Sequence, residues 1–334
     1  MSESPFRPAW WLPGAHLQTT WGQFARSRAL VAFRRERLAT DDGDEIWLDH
    51  VDGRAGSPRL LVLHGLEGSS YSVYVQGLLA LAAQRGWHAT AFNFRSCARD
   101  PADYRRWIAN ARPRLYHSGE TGDLSRVVKH LTDGDPAALA AVGVSLGGNV
   151  LLKWLGENPA QRAIAAAATL SVPYELGAGA RHLEHPVGRF YARHFLPSLC
   201  AKLLDIVKRF PEVRTRVDLD AALRARDFWA FDDAATAPLH GFADAADYYA
   251  RSSSIAYAGC ITSDTLCISS TDDPFLPAEA VQRFKATAST AVEVRVTARG
   301  GHVGFVAGAT PRQPRYWAEE AVIGWLAARM CPAA

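Results

Sequence analysis

The feature that most constrains the fold is an alternation of buried strands with amphipathic helices. Residues 59–64, 87–94 and 138–144 are nearly continuous apolar runs of strand length. Such runs are typical of strands that are buried on both faces. Between them, residues 71–85 and 119–131 carry apolar side chains at helical spacing. This order predicts βαβ units, and therefore an α/β domain with a mostly parallel sheet flanked by helices.

The same alternation continues toward the C-terminal end. The further predicted elements are a helix at 147–156, strands at 163–172, 265–270 and 292–297, and helices at 277–286 and 315–330. Two segments near the start, 30–38 and 45–50, are also predicted strands. We expect these two strands to pair antiparallel at one edge of the sheet.

The alternation is interrupted between residues 173 and 261. This interval is rich in aromatic residues and looks helical, with its clearest helix at 196–210. Ligands of open α/β sheets bind at the carboxyl ends of the strands. We therefore predict one domain over residues 1–334, with 173–261 inserted as a helical cap over that edge. A long helical connection that shields no site is the alternative.

Composition excludes several classes of function. The 334 residues include 37 basic and 34 acidic side chains, a balance too even to indicate a nucleic-acid partner. The first residues lack a signal-peptide pattern, and no apolar stretch is long enough for a membrane span. The five cysteines are scattered and form no CxxC pair. We therefore expect a reduced, cytoplasmic protein without a metal site.

The motif Gly143-Val-Ser145-Leu-Gly147 stands between the predicted strand at 138–144 and the helix that follows. A serine is a useful nucleophile only where its hydroxyl is exposed and hydrogen-bonded to a base. A sharp strand-to-helix turn exposes the hydroxyl, and the flanking glycines let the backbone crowd there. The context therefore predicts Ser145 as a nucleophile.

A serine nucleophile needs a histidine base and an acid that orients it. His302 follows the last predicted strand in the glycine-rich loop Gly300-Gly-His-Val-Gly304, and we predict that it is the base. The acid is expected after the preceding strand, where Asp272 and Asp273 are adjacent. The position of Asp273 relative to Pro277 favours Asp273, and Asp272 remains the alternative.

The remaining requirement is a pair of donors for the oxyanion that forms during acyl transfer. The run His64-Gly-Leu66-Glu-Gly68 ends the first long buried strand. In a strand–turn–helix site of this kind, one donor comes from such a loop and the other from the residue after the nucleophile. We predict the backbone N–H groups of Leu66 and Leu146. His64 is expected to brace its loop by a hydrogen bond.

Together these motifs resemble the YheT-like branch of the α/β hydrolases, which includes the abhydrolase-domain proteins of types one and three. The resemblance covers nearly the whole chain from about residue 9. It rests on residues 64–68, 93–97, 116–119, 143–149, 272–275 and 300–305. The chain departs from the family at Ser96, where glycine is usual, and at Gly122, where an acid is usual. The resemblance implies an α/β-hydrolase fold, esterase or lipase-like activity on acyl esters, and no metal or organic cofactor.

These observations predict a serine hydrolase that cleaves carboxylic, lipid-like esters through an acyl-enzyme, with a small-molecule acyl ester as its partner. Two alternatives remain open: an acyltransferase or thioesterase with the same three residues, and a non-catalytic binding module. The N-terminal segment 8–24 contains Trp10, Trp11, Trp21 and Phe24. These aromatic residues are expected to pack on the domain, with a wall of the acyl pocket or contact with a lipid surface as the alternative.

Overall fold

In the computed structural model, which describes residues 5–135 and 137–330, strands and helices alternate along most of the chain. Residues 1–4 and Cys331 lie outside the described residues, as do the expectations that concern them. The strands are β1 (Arg34–Ala39), β2 (Glu45–Val51), β3 (Arg59–Leu63), β4 (His88–Asn93), β5 (Arg99–Asp100), β6 (Asp103–Trp107), β7 (Leu139–Val144), β8 (Ile164–Leu170), β9 (Asp264–Ser270), β10 (Val292–Thr297), β11 (Val306–Ala307) and β12 (Arg315–Tyr316). The helices are α1 (Ala15–Ala25), α2 (Val73–Gln84), α3 (Gly122–Thr132), α4 (Leu146–Glu157), α5 (Leu176–His182), α6 (Pro186–Arg209), α7 (Leu219–Arg224), α8 (Phe228–Phe231), α9 (Ala237–Leu239), α10 (Ala245–Ser252), α11 (Ala278–Thr287) and α12 (Trp317–Met330).

One eight-stranded sheet has the order β1-β2-β4-β3-β7-β8-β9-β10. In this sheet β4, β3, β7, β8, β9 and β10 run parallel to one another. At one edge, β2 pairs antiparallel with β4, and β1 pairs antiparallel with β2. The predicted mostly parallel sheet and its antiparallel edge are both confirmed. Because parallel strands end at the same edge, the loops after β3, β7, β9 and β10 meet there.

The core lies on both faces of the sheet, as the apolar runs require. In β3, Leu61 and Leu63 belong to the cluster that includes side chains of α3, α4 and α11. Leu60 and Val62 belong to the cluster on the opposite face, with side chains of α2 and α12. All four leucine and valine side chains are fully buried. Successive residues of a strand face opposite ways, so a strand buried on both faces is apolar at most of its positions.

The helices from α5 to α10 lie between β8 and β9, in the interval where the alternation breaks. We call residues 171–263 the helical insertion. Its longest helix, α6, begins at Pro186, ten residues before the predicted start at 196. Proline is favoured in the first turn of a helix, and α6 accommodates a second proline, Pro197, in its interior. The insertion has its own apolar cluster, which also includes Leu115 and, partly buried, Leu66 from the carboxyl edge of the sheet.

No helix in the described part of the chain combines the length and the apolar composition that crossing a bilayer would require.

A buried guanidinium joins the edge of the sheet to α3. Arg95 donates two hydrogen bonds to Asp123, each 2.7 Å long, and reaches Asp42 and Asp44 at 2.8 and 2.9 Å. The side chain of Arg95 is 3% exposed. Removing one charge from a buried cluster leaves the opposite charges buried without a partner. The resulting loss of folding stability is larger than the loss caused by breaking an exposed ion pair.

We therefore expect Arg95→Met to lower the free energy of unfolding by about 3 kcal/mol or more, measured by urea denaturation. The matched control is Arg37→Met, because Arg37 pairs with Glu45 at 3.4 Å but is 66% exposed. This control should change stability by less than about 0.5 kcal/mol. Equal losses in the two variants would contradict the role assigned to Arg95.

Candidate active site

Ser145 lies at the turn between β7 and α4, with a backbone φ of 52° and ψ of −119°. This conformation is unfavourable for a residue with a side chain, so the surroundings must hold it in place. The two motif glycines explain how the turn fits. A Cβ on Gly143 would lie 2.5 Å from Gly148 Cα, and one on Gly147 would lie 2.5 Å from His64 O. The turn is therefore packed too closely for any other residue at these positions.

The ring of His302 reaches the serine from the loop after β10. Its Nε2 lies 2.9 Å from Ser145 Oγ. The ring stacks on Phe275, with centroids 4.3 Å apart and an interplanar angle of 22°. The backbone N–H of His302 donates to Thr19 Oγ1 in α1, at 2.9 Å. The stacking contact fixes the plane of the imidazole, and the backbone hydrogen bond anchors its loop to α1.

The two neighbouring aspartates bind different parts of this loop. Asp273 lies 2.9 Å from His302 Nδ1 through Oδ2 and is 1% exposed. Its Oδ1 also accepts the N–H of Phe275 at 2.8 Å. Asp272 instead accepts the N–H of Gly301 at 2.9 Å. Asp272 therefore supports the backbone of the loop that carries His302. A buried backbone N–H left without an acceptor would be costly, and Asp272 supplies that acceptor for Gly301.

Both predicted oxyanion donors are at the same edge of the sheet. The N–H groups on either side of Leu66 are occupied, because Gly65 donates to Tyr74 Oη at 2.8 Å and Glu67 donates to Tyr116 Oη at 2.7 Å. Within the described residues, neither Leu66 N–H nor Leu146 N–H forms a hydrogen bond. The first N–H groups of a helix have no partner inside the helix, and Leu146 is the first residue of α4.

His64 supports this loop and is unsuited to be a base. Its Nδ1 lies 2.7 Å from Gly65 O, and its Nε2 accepts the N–H of Phe94 at 3.2 Å. Burial lowers the pKa of His64 to about 3, so the ring stays neutral. These contacts correspond to the bracing hydrogen bond expected of His64.

A cavity of about 1080 Å³ opens above Ser145 and His302. The insertion supplies about half of its apolar lining, including Leu176, Leu183, Tyr191, Phe195, Leu199 and Phe231. Asp232 places a carboxyl group in the part of this wall that the insertion forms. Asp232 accepts hydrogen bonds from Thr236 Oγ1 and Tyr249 Oη, both 2.6 Å long, and burial raises its pKa to about 6.

The N-terminal aromatic residues divide between packing and exposure. Trp11 and Trp21 contact each other, with centroids 4.9 Å apart, and Trp11 donates to Gly308 O at 3.0 Å. Phe24 lines the cavity and is 87% exposed, and Phe190 of the insertion lines it and is 70% exposed. Both the packing role and the cavity-wall role therefore occur in this segment.

The parallel sheet, the strained serine turn and the loops that converge on it define the α/β-hydrolase fold. The profile of the alpha/beta hydrolase fold family matches residues 58–309. The chain is 35% identical to YheT of Escherichia coli, which is named as an esterase, over 329 residues that cover 97% of this chain and 94% of that protein. It is 31% identical to the phospholipase ABHD3 of Mus musculus, over 93% of this chain and 75% of the relative.

Among solved structures, the esterase Pf2001 of Pyrococcus furiosus superposes with a TM-score of 0.54, covering 89% of this chain and 93% of that one. At 19% identity this likeness shows the fold alone. The sequence relatives show more. The chain belongs to the α/β-hydrolase family, in the YheT-like abhydrolase branch, and its esterase and phospholipase relatives support an ester hydrolase.

The two aspartates can be separated by experiment. We expect Asp273→Asn to lower kcat/KM by about 10³- to 10⁴-fold, because the amide can turn its NH₂ toward the imidazole and favour the wrong tautomer. Asp272→Asn is the matched control, since its amide oxygen can still accept the Gly301 N–H, and it should retain most activity. Melting temperatures establish that both variants fold. An inactive, folded Asp272→Asn beside an active Asp273→Asn would assign the acid to Asp272.

Proposed function

We propose that the chain is a serine hydrolase that cleaves carboxylic esters with lipid-like acyl chains through an acyl-enzyme. The observation that carries the proposal is the chain of hydrogen-bond contacts from Asp273 through His302 to Ser145, at the floor of an apolar cavity. The order of contacts matches the division of labour in a serine triad, where the acid orients the base and the base activates the nucleophile. No metal or organic cofactor enters this mechanism.

In the first half-reaction, Ser145 Oγ forms a bond to the acyl carbon while its proton passes to His302 Nε2. Asp273 stabilises the imidazolium without taking the proton. The oxygen on which negative charge develops accepts hydrogen bonds from the N–H groups of Leu66 and Leu146, which stabilise that charge. The C–O bond to the alcohol then breaks, and the alcohol leaves with the proton from His302. A water molecule repeats these steps on the acyl-enzyme and releases the acid.

The helical insertion acts in this proposal as a cap that binds the acyl chain. Its apolar side chains form a wall of the cavity above Ser145, and a buried methylene is worth about 0.8 kcal/mol. Contact of the exposed aromatic residues with a lipid surface stays a prediction.

The nucleophile is tested with Ser145→Ala. We expect this variant to fold like the wild type and to lose at least about 10³-fold in kcat, because the members of a triad act as a unit. A fluorophosphonate probe should label the wild type and leave the variant unlabelled, as read by intact mass. Near wild-type turnover in Ser145→Ala would overturn the proposal. Labelling of the wild type without any hydrolysis of esters would favour thioester cleavage or acyl transfer.

The acyl site is tested with p-nitrophenyl esters of graded chain length. We expect kcat/KM to rise by up to about fourfold per methylene until the cavity is filled. Leu199→Phe should move the optimum to shorter chains, because Leu199 lines the cavity. Leu204→Phe is the control, since Leu204 lies on the same helix but is 45% exposed and does not line the cavity. A preference for acetyl esters over all longer ones would reject the lipid-like substrate class.

A further inference from the structure

Glu67 follows the oxyanion residue Leu66, and every polar atom of Glu67 is engaged. Its N–H donates to Tyr116 Oη at 2.7 Å, and that hydroxyl donates back to Glu67 Oε1 at 2.8 Å. Its carbonyl oxygen accepts from Arg99 at 3.2 Å. Glu67 also has a φ of 54°, a conformation that a residue with a side chain adopts at a cost. The loop is therefore held in a strained conformation by contacts made to this one residue.

Two of the contacts come from the helical insertion. Lys202 Nζ lies 2.7 Å from Glu67 Oε1, and Ser198 Oγ donates to Glu67 Oε2. Ser198 and Lys202 are four residues apart on α6, so they share one face of that helix. The oxyanion loop is thus tied to the element that forms the wall of the acyl cavity.

The pair is buried, and its charges are compensated locally. The side chains of Lys202 and Glu67 are 1% and 7% exposed. Lys202 also lies 3.4 Å from Cys97 Sγ and 5.3 Å from the centroid of the Tyr116 ring. Burial alone raises the pKa of Glu67, but Lys202, Ser198 and Tyr116 outweigh it, so the pKa is lowered overall. Glu67 is therefore ionised within the oxyanion loop itself.

Stability alone is a poor reason for such a pair. The desolvation of two charges largely cancels their attraction, and apolar replacement of a buried pair is often neutral or stabilising. Hydrogen-bonded charges do, however, impose geometry more strictly than apolar contacts. A strict geometry is what an oxyanion donor requires, because its hydrogen bond acts only if it is aimed at the charge that develops.

We propose that Glu67 and Lys202 are positioning residues that aim the N–H of Leu66 at the oxyanion, and that they couple the oxyanion hole to the insertion. This inference rests on the proposed function, since it requires acyl transfer at Ser145. Both side chains border the cavity, but their charged groups are engaged with each other. Both act through the backbone of the loop between Gly65 and Gly68.

The test uses Lys202→Met, Glu67→Gln and the double variant that combines them. Each single variant removes one charge of the pair and should lower the melting temperature. The double variant leaves no unpaired buried charge, so its melting temperature should return toward that of the wild type. We expect all three to lose about 10²-fold in kcat, the cost of one oxyanion donor, with KM changed less than about threefold. The inhibition constant of a trifluoromethyl ketone, which forms a tetrahedral adduct with the serine, should rise by a similar factor.

The control is Lys153→Met, because Lys153 forms a partly buried pair with Glu157 on α4, away from the cavity. It should alter the melting temperature and leave kcat unchanged. If the double variant regained kcat together with its melting temperature, the pair would contribute only to stability, and the inference would be overturned. Should Lys202→Met fail to fold, Glu67→Gln and the double variant give the same readout. A wild type that neither hydrolyses esters nor reacts with a fluorophosphonate would instead reject the proposed function.

Discussion

The rest of the site depends on one constrained turn, at the point where β7 ends and α4 begins. Ser145 keeps its strained conformation because the strands on either side hold it. Its N–H donates to Leu170 O at the end of β8 at 2.8 Å, and Gly147 lies against the end of β3. Those neighbours are in register only because the three strands run parallel and end at one edge. The parallel sheet therefore creates the exposed hydroxyl, and the other groups are brought to it by loops.

Those loops are held by helices that lie far away in the sequence. On one side, α1 supports the histidine loop, because Thr19 accepts the N–H of His302 and Gly301 lies too close to Ala15 O to carry a Cβ. On the other side, α6 contacts Glu67, in the proposed oxyanion loop, through Ser198 and Lys202. The sheet positions the serine, and two helices outside the regular alternation support the loop of His302 and the loop between Gly65 and Gly68.

This division explains what could be predicted from the sequence. Strands buried on both faces and a glycine-rich turn leave local patterns, so the sheet and the placement of Ser145, His302 and Asp273 at its edge were predictable. The alanine-rich β8 was also predictable, although alanine favours helices, because the strand is buried between neighbours. The tie between Glu67 and Lys202 spans 135 residues and leaves no local pattern. The partner of Asp272 depends on how the loop after β9 packs against the loop after β10. The periodicity of apolar residues in the sequence carries no information about such loop packing.

Ser96 shows how this chain accommodates a departure from its family. The resemblance to the family predicts glycine there, and the structure gives Ser96 a φ of 57°, which glycine adopts without strain. The hydroxyl of Ser96 is hydrogen-bonded to the side chain of Asn110, and Asn110 donates to Asp44 at 2.9 Å. Asp44 is also a partner of Arg95, so the serine is part of the same buried polar network that joins the sheet edge to α3. Because Arg209, the last residue of α6, donates to Asn110 O at 2.7 Å, this network extends from the edge of the sheet to the insertion. The backbone strain at Ser96 is thus offset by polar contacts, as the strain at Ser145 and Glu67 is offset by theirs.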